Sequence, residues 1–265
     1  MWAVQAAWRQ RHLFAALVRR QWHDRYAGSA LGGAWALAQP LALLGLYALV
    51  FQLIFQVRLP QASPAPSYLV WLALGLWPWV ALQECLMRGA SAIVAHAALV
   101  QKVAFQPAWL VAAAVAVPWA VHALGHALVL ALLALVGAPL QLALLWQWPL
   151  VWLAVGLWAL GGALALASVQ VYVRDLEQLL PQVLPLLMYA SPVLYPLALV
   201  PAWLQPLMAA NPLTWMLEPL RAHGLGVPTE SAAVQTGLAL GLGVVGLAAG
   251  GWVFSRLQHD FEDVL

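Results

Sequence analysis

Long uncharged apolar runs alternate along this chain with short stretches where charge and proline collect. The runs have the length of membrane crossings, each close to the ~20 apolar residues that a spanning helix needs. Residues 30–57 carry no charge and predict a first span, bent at Pro40. A polar, proline-rich stretch follows, and 68–88 predict a second span ending in Glu84 and Arg88, spaced for an i,i+4 ion pair. No charge then appears between Lys102 and Arg174. Gly137-Ala138-Pro139 and Trp148-Pro149 interrupt that run, too close together for a crossing between them, so it predicts two spans, 108–136 and 149–169. Beyond Arg174-Asp175-Leu176-Glu177 comes an uncharged segment with Pro181, Pro185, Pro192, Pro196, Pro201, Pro206 and Pro212. It reads as a fifth span, 179–200, followed by a broken segment, 201–226, that dips into the membrane without crossing; two full spans are the alternative. A last span, 233–254, precedes a short tail, 255–265. The fold class is an all-α membrane protein in a single transmembrane domain.

Composition agrees: of 265 residues, 65% are hydrophobic and only 8% charged, against about a quarter charged in soluble chains. Six spans put both termini on one side, with Arg9, Arg11, Arg19, Arg20, Arg25, Arg88, Lys102, Arg174 and Arg256. Only Arg58 and Arg221 remain opposite. The excess of basic residues marks the first side as cytoplasmic. A net charge of +2 with dispersed basic residues excludes a nucleic-acid binder. The single Cys85 excludes an intrachain disulfide, and the single lysine, Lys102, follows Gln101 rather than the glycine of a phosphate-binding loop. No cofactor or metal is expected in this chain, so work that needs ATP and Mg falls to a partner.

The first 29 residues predict a helix lying at the cytoplasmic interface. Arg9, His12, Arg20 and His23 share one side of a helical wheel, and Phe14, Val18 and Trp22 the other. It is either an anchor or a basic platform for an anionic lipid head group, with Arg19, Arg20 and Arg25 as candidate phosphate contacts. The loop 89–106 is long enough for one short helix, either a plain connection or the element that receives force from a soluble ATPase, with His96, Leu99 and Lys102 as its candidates. His122 and His126 lie four apart on the third span, which suits hydrogen bonding between helices or a pore lining better than a metal site. Gly237/Gly241 and Gly246/Gly250 have the spacing of close helix packing.

Most of the 16 tryptophans read as interfacial belt or packing residues, with Trp71, Trp77 and Trp79 near a span end. A minority of aromatics suit a sugar path, and Trp35, Tyr47, Trp119 and Tyr189 are the candidates. The prolines of 201–226, with Glu218 and Arg221 three apart, suit a half-inserted outer gate or an interfacial cap; Pro201, Pro212, Glu218 and Arg221 are its candidate residues.

These residues resemble a known family. Arg25-Tyr26-Ala27-Gly28-Ser29-Ala30-Leu31-Gly32, followed by Trp35 and Pro40, is similar to the junction of interfacial helix and first span in ABC-2 type polysaccharide export permeases. Val173-Arg174-Asp175-Leu176, Ser191-Pro192-Val193-Leu194-Tyr195-Pro196, Val200-Pro201 and Asn211-Pro212-Leu213, with Glu218 and Arg221, match in the same order. The resemblance implies a homodimer in the bacterial inner membrane, with two ATP-binding cassette subunits carrying ATP and Mg. It implies export of a lipid-linked glycan: O-antigen on undecaprenyl pyrophosphate or, alternatively, a capsular or teichoic-acid chain. A drug-exporting permease and an intramembrane lipid-modifying enzyme are further alternatives. It also implies that the interfacial helix and first span border a lateral opening for lipid, that 89–106 couples to the ATPase, and that 201–226 forms a periplasmic gate.

Overall fold

The computed structural model describes residues 11–29, 32–57, 68–103, 105–226 and 231–265. Arg9 and the loop 58–67, with Arg58, lie outside them. The described chain is helical. A first helix, α1 (Arg11–Tyr26), leads through a turn to α2 (Trp35–Ala48), which continues into a wider π-helical stretch, Leu49–Ile54. Then come α3 (Tyr68–Ser91), the short α4 (Ala97–Lys102), α5 (Ala108–Leu135) and α6 (Leu144–Tyr172). The chain ends with α7 (Leu176–Tyr189), α8 (Gln205–Ala209), α9 (Pro212–Leu225), α10 (Ala232–Leu257) and α11 (Phe261–Val264).

Among the described residues, five helical segments are long and apolar enough to cross a membrane: Gly32–Ile54, Tyr68–Ser91, Ala108–Leu135, Leu144–Tyr172 and Ala232–Val264. The expected span 149–169 begins earlier, at Leu144, because Pro149 sits only a turn and a half inside its helix. There a missing N–H forfeits one hydrogen bond near the end and bends the helix without stopping it. The break at Gly137 is real. Gly137 adopts φ +85° and the Ala138 N–H reaches back to the Leu133 carbonyl, a left-handed helix stop.

The expected fifth span differs most. Its α-helix stops at Tyr189 rather than continuing to 200, and 14 residues measure only about 21 Å. Pro192 and Pro196 supply no N–H for a further turn. The segment still runs from one end of α3 to the other. Leu180 and Pro181 lie with Met87 and Ser91 around one small cavity, and the Tyr68 hydroxyl donates to the Leu194 carbonyl at the far end.

α3 is the hub, packed against α2, α5, α6, α7 and α9. That placement makes Trp71, Trp77 and Trp79 packing rather than belt residues, since all three are buried in the core. The α6–α10 contact is the closest. A Cβ on Gly250 would stand 2.0 Å from the Gly161 carbonyl oxygen, and one on Gly161 2.6 Å from the Gly246 backbone. Gly237 and Gly241 meet nothing comparable. So the small residues near 246–250 join helices within one chain, where loss of a Cβ lets backbones touch.

Candidate functional site

The site grows from the register of α1. Leu13, Phe14, Leu17 and Val18 form its inward line, with the Phe14 ring 5.3 Å from that of Trp109 on α5. Continuing at helical spacing, that line passes Gln21 and arrives at Arg25. Arg25 therefore points inward, whereas Arg19 and Arg20 are exposed. Trp22, expected on the apolar face, is 50% exposed for the same reason. Gly28 then turns the chain at φ +75°, which explains a glycine at this position of the Arg-Tyr-x-Gly-Ser sequence.

Arg25 meets Glu84, two turns inside the end of α3. Nη2 donates to Oε2 at 3.0 Å, and Nη1 stands 2.6 Å from Oε1 as an ion-pair contact without hydrogen-bond geometry. Arg88, one turn further along α3, places Nε 2.5 Å from Oε1, the expected i,i+4 pair. From α5, His122 Nε2 lies 2.7 Å from Oε2 and donates to it. Oε2 thus holds two donors, and Oε1 accepts from Arg88 with the Arg25 charge beside it. Two guanidinium charges against one carboxylate leave the cluster an excess positive charge even with His122 neutral. His122 is 2% exposed, and its Nδ1 has no hydrogen-bond partner.

This cluster edges a cavity of about 410 Å³ between α2 and α3. Trp35, Gln39 and Pro40 line its α2 side, and Gln83 and Met87 its α3 side. Trp35 is half exposed, so a flat apolar face stands across from two arginines.

The other aromatic candidates separate. The Tyr47 and Tyr189 side chains lie near enough to interact, so α2 and the end of α7 approach each other there. Trp119 donates to the Trp152 carbonyl at 2.9 Å and rests on Gly156, a packing role between α5 and α6. His126 accepts from Trp152 Nε1 at 3.2 Å and stacks on Trp77, so both histidines bond between helices. Arg20 pairs with Asp24 at 3.4 Å, both exposed.

In the loop after α3, His96 Nδ1 donates to the Ala92 carbonyl at 2.9 Å, Leu99 is half-buried and Lys102 exposed. The first residues assigned to this loop, 89–91, are the last turn of α3. α4 packs against the C-terminal α11, so the loop and the tail share one end of the bundle.

The segment 190–226 forms a second polar node. Asn211 caps α9 by accepting from the Leu213 N–H, while its amide donates to Ser191 Oγ and the Ala190 carbonyl. Pro212 takes the first helical position, which needs no N–H. Arg221 is 2% exposed. It donates to the carbonyls of Pro192 at 2.6 Å and Val193 at 2.8 Å and pairs with Glu218 at 3.0 Å, as expected from their spacing. It also stacks 3.6 Å over Trp71, leaving no room for a Cβ on Gly75. Pro201 is an exposed turn residue whose carbonyl accepts from Leu204 and Gln205. The Ser-Pro-x-x-Tyr-Pro and Asn-Pro-Leu sequences are thus two halves of one joint.

Glu84, Arg88 and His122 were not among the expected phosphate contacts. Their signal was present, since an ionisable side chain within a span marks a functional site by default.

Several helices long and apolar enough to cross a membrane, packed around a cavity edged by ionisable side chains, define a multi-span membrane protein. The family model for the ABC-2 type transporter matches residues 12–223, and the chain belongs to that family. Similar proteins include an O-antigen export system permease protein RfbA of Klebsiella pneumoniae, 24% identical over 257 residues, covering 96% of this chain and 95% of the relative. Another is the O-antigen export system permease protein RfbA of Myxococcus xanthus, 29% identical over 265 residues, with 98% of each covered.

Proposed function

We propose that this chain is the permease subunit of an ATP-driven exporter of a lipid-linked cell-surface polysaccharide, an O-antigen carried on undecaprenyl pyrophosphate. The full-length similarity to O-antigen permeases supports the cargo. The observation that carries the reading is the cavity where Arg25, Arg88 and His122 surround one carboxylate, opposite Trp35. Phosphates of the lipid anchor take the arginine side, and the first sugar takes the indole face. A flat ring with one N–H suits the mixed faces of a pyranose. Tyr47 and Tyr189 continue the path.

In this reading the chain crosses the inner membrane six times, the fifth crossing being α7 with its turn, and both termini are cytoplasmic. Two copies enclose the path, and two ATP-binding cassette subunits hold ATP and Mg and press on 89–106 near His96, Leu99 and Lys102. The Arg221 joint is the hinge of a periplasmic gate, with Pro201 and Pro212 at its bends.

The deciding experiment reconstitutes this chain with its cassette subunit and measures ATP hydrolysis with and without lipid-linked O-antigen. Stimulation by the O-antigen and not by a capsular glycan on a phospholipid anchor is expected. Equal indifference to both sinks the reading. In cells, deletion should leave the glycan undisplayed at the surface until the chain is restored.

A further inference from the structure

The carboxylate at the centre of the cavity sits where an incoming anion would have to go. We infer that Glu84 is an exchangeable counter-anion: it holds Arg25 and Arg88 while the cavity is empty, and yields them to a phosphate ester by withdrawing onto His122. This rests on the reading of the cavity as the phosphate site.

The geometry allows the exchange without stranding a charge. Oε2 already has two donors, Arg25 Nη2 at 3.0 Å and His122 Nε2 at 2.7 Å, so losing the first leaves it hydrogen-bonded to the second. Oε1 gives up its hydrogen bond from Arg88 Nε at 2.5 Å and its ion-pair contact with Arg25 Nη1 at 2.6 Å, two guanidinium nitrogens that suit a phosphate. Arg88 is 42% exposed at its side chain and Glu84 23%, so both have room to move, whereas His122 at 2% is fixed in the wall. The charges balance as well. Two arginines and one carboxylate leave one positive charge, which a phosphodiester neutralises. An empty site built this way avoids burying two unpaired cations, the costly alternative. It also admits only ligands that outcompete a resident carboxylate.

The alternative role for Glu84 is a fixed brace that aims the arginines. The two roles predict opposite signs. The full chain is purified in a neutral maltoside detergent and titrated with undecaprenyl monophosphate, phosphatidylglycerol or inorganic pyrophosphate, with binding followed by native mass spectrometry. Arg25→Gln should abolish binding. Glu84→Gln should bind at least about tenfold tighter, because the competitor is gone. Glu84→Asp, which keeps the charge in the fold but draws it back by one methylene, should also bind tighter, by less. His122→Phe should bind several-fold weaker, since the carboxylate then has nowhere to go. If Glu84→Gln does not fold, the Asp and Phe variants carry the test alone. Weaker or unchanged binding by Glu84→Asp, or unchanged binding by His122→Phe, overturns the exchange while leaving the phosphate site in place. No binding of any probe by the wild-type chain overturns the phosphate site itself. Preference for the polyprenyl phosphate identifies the substrate's anchor as the source. Equal binding of phosphatidylglycerol assigns the site to bulk lipid, and binding of pyrophosphate alone to a free phosphate; the exchange holds in each case.

Discussion

Two arginine–glutamate nodes lie in this bundle, and they are built on opposite plans. At the Arg221 node both terminal nitrogens go to fixed partners, two backbone carbonyls and Glu218, and the guanidinium stacks on the Trp71 ring, with only Nε left over. The surrounding chain is tied in too, through Asn211 to Ser191 and Tyr68 to Leu194. At the Glu84 node Arg25 and Arg88 meet at a single carboxylate, and a cavity of about 410 Å³ adjoins them. The first joins two broken pieces of backbone where helix is impossible. The second keeps charge mobile. Ion pairing alone therefore does not mark a working site; spare room beside the pair does.

That contrast predicts where loss of an arginine unfolds the protein and where it disables it. The largest effect belongs to Arg221→Met. It strands the Glu218 carboxylate and two carbonyls, and removing one partner of a buried pair typically costs about 3–5 kcal/mol. The protein should fail to accumulate in membranes, or lose most of its thermal stability in detergent. A well-folded Arg221→Met chain that had merely stopped exporting would erase the distinction. Next comes Gly75→Ala. Its methyl would stand 1.9 Å from Arg221 Nη2, so the guanidinium must leave its carbonyls, at roughly 1–3 kcal/mol. Melting of the purified chain should show it.

On the other node the sign of the readout reverses. Trp35→Ala removes a half-exposed ring, so stability should change by less than about 1 kcal/mol. Export, assayed as surface glycan, should fall on the order of tenfold if the indole holds a sugar. Unchanged export would remove Trp35 from the path and leave the cavity with its charges only.

How much of this could be read from the chain follows the same division. The spans were legible because apolar length is a local property, and Gly137 stopped α5 where a glycine before proline should. The two i,i+4 and i,i+3 pairs, Glu84–Arg88 and Glu218–Arg221, were legible because helical spacing fixes them. What could not be read was any contact between distant segments. Arg25 and Glu84 are 59 positions apart, and Glu84 and His122 are 38. That the three candidate arginines of α1 take different positions was not legible for a specific reason: the buried line passes through Leu17, not Trp22, and carries only Arg25 inward. The stop of α7 at Tyr189 was hidden by hydropathy, which counts apolar residues and cannot see that Pro192 and Pro196 withhold the N–H groups of the next turn.

The smallest expected effect tests that register directly. Arg20 differs from Arg25 by five positions, more than a full turn, and lies on the exposed side of α1, paired only with Asp24 at 3.4 Å. An exposed i,i+4 pair contributes about 0.3–0.5 kcal/mol. Arg20→Gln should therefore leave stability within that margin. It should also leave binding of a phosphate probe at the cavity unchanged, while Arg25→Gln abolishes it. If the site were a diffuse basic surface, both substitutions would weaken binding by similar factors, and salt would erase both. A built site answers to Arg25 and not to Arg20, because only one of them follows the line of Phe14, Leu17 and Val18 into the bundle.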